Sequence, residues 1–183
     1  MNQKDIKKVF QGEIFSVWQW EQKLYDGTTA IFERVERPDY AGIIGVLPDK
    51  RIIMVMDEQP HRGVELSISG GRLEKGENPI DAAKRELLEE TGYAAGHIEP
   101  LYSYQSNSKV ICTFHIFVGK NCAKISEPKL DAGEKIELRF FTFDEFLALG
   151  QNEHLRDMRL RIMLLEAQLD PEKKDKLYTL LYE

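Results

Sequence analysis

The sequence predicts an α/β fold of the α+β kind, a mixed β-sheet sandwiched between helices with an antiparallel strand subdomain at the N-terminus. Three observations lead there. Apolar, β-branched segments recur through the first seventy residues, one strongly capped helix follows, and strands and helices then alternate in mixed order. With 183 residues, 42% of them hydrophobic, the chain is long enough to bury one sizeable core.

Residues 9–20 are aromatic and β-branched and read as a strand; Asp26-Gly27 makes a turn before a second strand over residues 28–35. Pro38-Asp39 interrupts the pattern, and a boundary placed there gives an N-terminal strand subdomain, residues 1–40, and a main domain, residues 41–183. Residues 41–47 and 51–56 are apolar strands joined by the turn Pro48-Asp49-Lys50. Residues 59–64 read as a loop, and residues 65–69 as a short strand ending at Gly70-Gly71. The helix that follows has Asn78 as N-cap, Pro79 at the first helical position, Asp81 in the first turn and Gly92 at the close. Residues 100–106 and 109–118 form a strand pair around Ser106-Asn107-Ser108. An acidic loop, 130–134, precedes a strand at 137–142. Helices are expected at 143–149 and 154–169, with a short helical tail.

Charge narrows the function. Twenty-five basic against 31 acidic residues give a net charge of −6, which excludes a non-specific nucleic-acid binder, since that needs a basic stripe to displace counterions. An anionic ligand remains open if local arginines or bound cations reverse the sign within a site. Cys112 and Cys122 make no Cys-x-x-Cys motif, and His61, His97, His115 and His154 show no paired ligand spacing. No stretch approaches the roughly 20 apolar residues of a membrane span, and Met1-Asn2-Gln3-Lys4-Asp5 has no signal-peptide core. The expected setting is a reduced cytoplasm, away from membranes.

Residues 71–93 read GRLEKGENPIDAAKRELLEETGY. At roughly 100° per residue, Glu86, Glu89 and Glu90 fall within about a third of the helix circumference, with small Ala82 in the same arc. Ile80, Ala83 and Leu87 form the adjacent apolar stripe. Like charges at this spacing repel by a few tenths of a kcal/mol per pair, so the arc is either a solvated acidic face or a cluster neutralised by hard cations. Mg²⁺ prefers oxygen ligands and is commonly shared with substrate phosphates.

This stretch resembles the signature of the Nudix hydrolase family, G-x5-E-x7-R-E-U-x-E-E-x-G-U, with U a bulky apolar residue. Gly71, Glu77, Arg85, Glu86, Glu89, Glu90 and Gly92 fill the fixed positions, Leu87 and Tyr93 the apolar ones. Seven specified residues match by chance on the order of 10⁻⁹ per starting position at average usage, which decides against the solvated face. The resemblance implies the Nudix fold and divalent-metal hydrolysis of a pyrophosphate bond, with Mg²⁺ as cofactor and Mn²⁺ as a substitute. It implies Glu86, Glu89, Glu90 and the carbonyl of Gly70 as metal ligands, Glu89 also in a catalytic role, and Arg85 as a catalytic-site residue bracing the loop through Glu77.

Residues 8–38, the Glu58-Gln59 pair with Arg62 shortly after, and Asp131-Ala132-Gly133-Glu134 resemble the ADP-ribose and nucleotide-sugar pyrophosphatase branch. That resemblance, over roughly residues 8–145, implies Glu134 as general base or ligand of an extra metal. It implies Phe32 and Glu33 as nucleobase contacts, with Phe15 as a second apolar wall, and Arg62 as a phosphate contact. It also implies a homodimer that exchanges N-terminal strands. Trp18 and Trp20 face one side at period two and suit packing or a subunit interface.

Three departures bear on the substrate. The segment entering the motif is Ser67-Ile68-Ser69-Gly70-Gly71 where the branch has Glu-Leu-Pro-x-Gly. Ser106-Asn107-Ser108 stands in the region of a downstream proline, and His61 near the place of an arginine. ADP-ribose, GDP-mannose or another sugar nucleotide therefore remain open, split to a nucleoside monophosphate and a sugar phosphate. The alternatives are a hydrolase of dinucleoside polyphosphates or nucleoside triphosphates, and a catalytically inactive sensor of nucleotide sugars.

Overall fold

A computed structural model describes residues 6–106 and 109–183. Asn107 and Ser108, the heart of the expected turn at 106–108, lie outside the described residues. Thirteen strands and four helices are found among the described residues.

The N-terminal segment folds as β1 (Lys7–Gln11), β2 (Ser16–Lys23) and β3 (Thr29–Glu36), two antiparallel pairings side by side. The single strand expected over 9–20 is two strands. The chain reverses at Gly12, whose N–H donates to the Phe15 carbonyl at 2.8 Å. This sheet also recruits β10 (Val110–Ile111), which lies parallel to β3, so a segment from far along the chain completes it.

The central sheet is mixed. Its strands are β4 (Tyr40–Val46), β5 (Ile52–Gln59), β9 (His97–Gln105), β11 (Thr113–Lys120) and β13 (Lys135–Phe141), in the order β13-β5-β4-β11-β9. Beside this path, β6 (Arg62–Ser67) pairs with β5 and β7 (Ser69–Arg72) with β4. The loop expected at 59–64 is instead a tight hairpin: β5 runs on to Gln59, Pro60 and His61 turn, and β6 begins at Arg62. A small ribbon pairs β8 (Tyr93–Ala94) with β12 (Ala123–Lys124).

Alternation along the strands builds two cores. In β4, Ile44 and Val46 face one side while Ala41 and Ile43 face the other; in β5, Ile52 and Met54 oppose Ile53; in β11, Ile116 and Val118 oppose Phe117. One core receives Ala82, Ala83 and Leu87 of α1 (Pro79–Thr91). The other receives α2 (Phe143–Ala148), α3 (Met158–Leu169) and α4 (Pro171–Tyr182), through Phe146, Leu160, Leu164, Leu177 and Leu181. The result is the α/β/α sandwich the sequence predicts. The expected short tail is a full helix, with Leu181 fully buried.

Two caps position the site. Asn78 accepts the Asp81 N–H at 3.0 Å to start α1, and Gly92, at φ 76°, ends it with its N–H on the Leu88 carbonyl at 2.9 Å. Only α3 starts later than expected. Residues 154–157 form instead a short parallel bridge to β6: Leu66 N–H donates to the His154 carbonyl at 3.0 Å, and Arg156 N–H to the Leu66 carbonyl at 2.9 Å. Asp157 then caps the helix. Backbone groups satisfied by a strand edge cannot also enter a helix.

Candidate active site

A cleft of about 400 Å³ opens beside α1, floored by β4, β5 and β7 and rimmed by the loop before β13. Glu86, Glu89 and Glu90 all line it, together with Arg85, Gly70, Gly71 and Glu134. Every residue assigned from the motif to metal or catalysis is therefore in one place. Phe32, Glu33 and Arg62 are not among its walls.

The three carboxylates are not equivalent. Glu90 is buried, 8% exposed, and accepts the Gly70 N–H at 3.1 Å. Burial, chiefly, and then the charge of Glu86 hold its carboxyl well above the ordinary value of 4.5; Glu134 and Asp57 push the same way, and the Gly70 bond opposes them. Glu86 is also raised, first by burial, with Arg85 opposing and Glu89 and Glu134 adding repulsion. Glu89 is the outermost, with its side chain nearly half exposed.

Arg85 knits the motif. Its Nε and one terminal nitrogen donate to the two oxygens of Glu77 at 2.9 and 3.0 Å, a forked pair. The other terminal nitrogen donates to Glu86 at 2.7 Å and to Glu89 at 3.0 Å, and a further bond of 3.2 Å reaches the Arg72 carbonyl. Glu77 in turn accepts the Glu74 N–H at 2.9 Å, and its carboxyl is held below the ordinary range by the Arg85 bond. Helix and loop are thereby tied at both ends.

Gly71 sits under Glu86. A Cβ there would lie 2.2 Å from a Glu86 oxygen, so only glycine lets this carboxylate lie flat on the loop.

The donor set fits a hard divalent cation. One buried and one partly buried carboxylate, mutually repelling, face an open cleft, and all available donors are oxygens. Among the described residues no three His, Cys, Asp or Glu side chains are already gathered at ligand geometry, and Arg85 bridges Glu86 and Glu89. That nitrogen takes one oxygen of each carboxylate, while the fork to Glu77 keeps Arg85 in place.

Glu134 stands on the loop before β13, where Gly133 takes φ 92° and the Glu134 N–H donates to the Asp131 carbonyl at 3.1 Å. Its charge reaches both Glu86 and Glu90, so it faces the helix carboxylates across the cleft.

The expected substrate contacts are placed differently. Phe32 packs on Trp20, ring centres 6.0 Å apart, under the Lys109 ammonium at 4.5 Å. Glu33 accepts from the Gln19 amide on the same sheet. Both line a separate shallow depression. From the N-terminal strand subdomain, the turn residue Ile14 reaches the cleft, whereas Phe15 is exposed outside its walls. Arg62 is consumed by acids: its guanidinium pairs with Asp57 and, at 2.9 Å, with Glu65. A residue that opens a strand after a two-residue turn has its direction fixed by the pleat, and here the pleat delivers Arg62 to those carboxylates.

Sequence reading missed Asp57, Tyr40, Arg37 and Arg156, all cleft residues. Asp57 carried a signal: it shares the face of Ile53 and Val55 at period two, an acid on the helix-α1 side of an apolar strand. Arg156 carried none, because only the bridge to β6 brings it in.

A model of the NUDIX domain matches residues 36–161. The chain belongs to the Nudix family. It is a pyrophosphohydrolase of that family. This Nudix chain is 32% identical over 184 residues to the methanol dehydrogenase activator of Bacillus methanolicus, covering 95% of this chain and 97% of that one. It is 28% identical over 174 residues to the ADP-ribose pyrophosphatase of Bacillus subtilis strain 168, covering 92% and 94%. The crystal structure of an ADP compounds hydrolase superposes with a TM-score of 0.74 at 20% identity, over 92% of this chain and 94% of that one, which bears on the fold. Nudix enzymes generally work with divalent metals. Among the described residues no helix is long and apolar enough to cross a membrane.

Proposed function

We propose that this protein hydrolyses the pyrophosphate bond of a nucleoside diphosphate sugar, ADP-ribose or GDP-mannose or a close relative, with Mg²⁺ and in the cytoplasm. The observation that carries the reading is the gathering of Glu86, Glu89, Glu90 and Glu134 around one cleft, with Glu90 buried, Glu86 partly buried and the two repelling each other. Glu86, Glu89, Glu90 and the Gly70 carbonyl would hold the cation, with Mn²⁺ as a substitute, and a cation there would supply charge neutralisation for the phosphates and make water more acidic. Glu134 accepts the proton of the attacking water, from a loop able to close over the diphosphate. Arg85 keeps the helix and the loop in register. The products are a nucleoside monophosphate and a sugar phosphate.

Phe32 and Glu33 meet the nucleobase in a homodimer that pairs N-terminal sheets. Their distance from the cleft within one chain, and the exposure of Phe10, Phe15 and Ile31 on this sheet, support that arrangement. Residues 1–40 act as this dimerisation unit, and residues 41–183 carry the hydrolase.

A metal-dependent screen across ADP-ribose, GDP-mannose, UDP-glucose, diadenosine tetraphosphate and nucleoside triphosphates tests the reading. Release of sugar phosphate is the expected result. Turnover restricted to the tetraphosphate or the triphosphates overturns it.

A second reading follows from the Bacillus methanolicus relative, a methanol dehydrogenase activator. In that reading the chain raises the rate of a partner alcohol dehydrogenase. Adding it to such a reaction, with E90Q as control, separates an effect that needs hydrolysis from one that needs contact alone.

A further inference from the structure

The cleft is crowded with carboxylates, yet its substrate carries two phosphates. One phosphate is served at the carboxylates of α1; the other needs a fixed cation of its own. Arg62, the sequence candidate, is spent on Asp57 and Glu65 and is not a wall of the cleft. Arg85 is committed to three carboxylates and a carbonyl.

Arg156 is differently placed. Its backbone is pinned by the bridge to Leu66, and the residue lines the cleft beside Asp57. One terminal nitrogen donates to Asp57 at 3.0 Å, and Tyr40 lines the same wall of the cleft beside it. Tyr40, Arg156, Glu86 and Glu90 line one cleft, which sets Arg156 near the carboxylates of α1. Asp57 is 6% exposed, and the oxygen that binds Arg156 also binds Arg62. A buried carboxylate gripped by two guanidiniums from different elements leaves little freedom to either. With five donors on a planar fork, Arg156 keeps N–H groups beyond the bond to Asp57.

The geometry points to Arg156 as the substrate contact for the second phosphate of the diphosphate, with Asp57 and Tyr40 as positioning residues that aim it. The assignment rests on the nucleoside-diphosphate reading above and adds the residue that recognises a diphosphate over a monophosphate. It gives the cleft two poles: cations and carboxylates on α1, and a permanent guanidinium opposite, held rigid before substrate arrives. Preorganised in this way, the contact loses little side-chain entropy on binding.

The test is calorimetric and needs no turnover. Binding of α,β-methylene-ADP, a non-cleavable diphosphate, and of AMP is measured in Mg²⁺ for wild type, R156Q and R156K. In R156Q the diphosphate is expected to weaken on the order of tenfold or more, as for loss of a hydrogen bond to a charged group, and AMP by less than about threefold. R156K keeps a point charge without the fork and is expected to fall between, which also covers a failure of R156Q to fold. Equal weakening of both ligands in R156Q, or wild-type diphosphate affinity in either variant, overturns the assignment. A normal diphosphate-selective loss in R156Q, beside wild-type protein that hydrolyses no nucleotide sugar, sinks the proposed substrate and leaves Arg156 standing.

Discussion

Gly71→Ala is the substitution whose consequence follows most directly from the coordinates. The added methyl falls 2.2 Å from one Glu86 oxygen, 2.6 Å from Cδ and 2.8 Å from the other oxygen, where ordinary contact begins at 3.4 Å. The carboxylate must therefore retreat by about 1.2 Å. It is the far end of a flexible side chain, so it can swing, but it leaves its 2.7 Å bond to Arg85 and its place against the loop. A shift of about 1 Å in a reacting constellation costs on the order of 10²-fold in rate. Stability moves little. Loss of a partly exposed ion-pair contact costs about 1 kcal/mol or less, and the stiffer unfolded chain returns about 0.4–1 kcal/mol. For a chain of this size the melting temperature then stays within about 4 °C. Steady-state hydrolysis against Mg²⁺ concentration, beside thermal melts, measures both. A variant with wild-type rate and metal dependence would refute the claim that Glu86 works from its seat on Gly71.

Other expectations follow from the same geometry. In E90Q, hydrolysis should fall by more than the roughly 10–100-fold typical of losing a supporting contact, while the melting temperature in EDTA does not drop, because a buried and repelled charge has gone; unchanged turnover removes Glu90 from the metal site. Glu86 and Glu90 have folded-state values above the unfolded 4.5, so the fold binds more protons than the unfolded chain between those limits. Metal-free stability should therefore decline as pH rises above about 4.5, and Mg²⁺ should reverse the decline; melts in EDTA that climb through this range contradict it. Glu77 opposes at the acid end: its depressed value contributes stability present above 4.5 and lost as pH falls through the folded value. Leu181→Ala removes a fully buried side chain and should cost about 2–5 kcal/mol, read as a lowered denaturation midpoint; a midpoint within error of wild type would mean that α4 is not part of the core.

Local signals were legible wherever one segment makes its own structure. Asn78, Pro79 and Gly92 specified α1 to the residue because caps act within a turn or two. Period two in residues 41–47 and 51–56 specified two-faced strands because the pleat allows nothing else. The reading failed where a partner from elsewhere supplies the hydrogen bonds. Residues 59–64 read as a loop, yet β5 and β6 pair on both sides of Pro60 and His61. Residues 154–157 were read as helix, yet the edge of β6 claims them.

The sequence alone determined the chemistry of the motif, because its carboxylates, arginine and glycines share one helix and the loop leading into it, and their spacing is their geometry. Which cations face the substrate was decided only by tertiary structure. Arg62 and Arg156 meet on a single oxygen of Asp57 from segments almost a hundred residues apart, and one also turns to Glu65 of its own strand while the other lines the cleft. No property of either residue in isolation distinguishes them; the pleat of β6 and the bridge at Leu66 do.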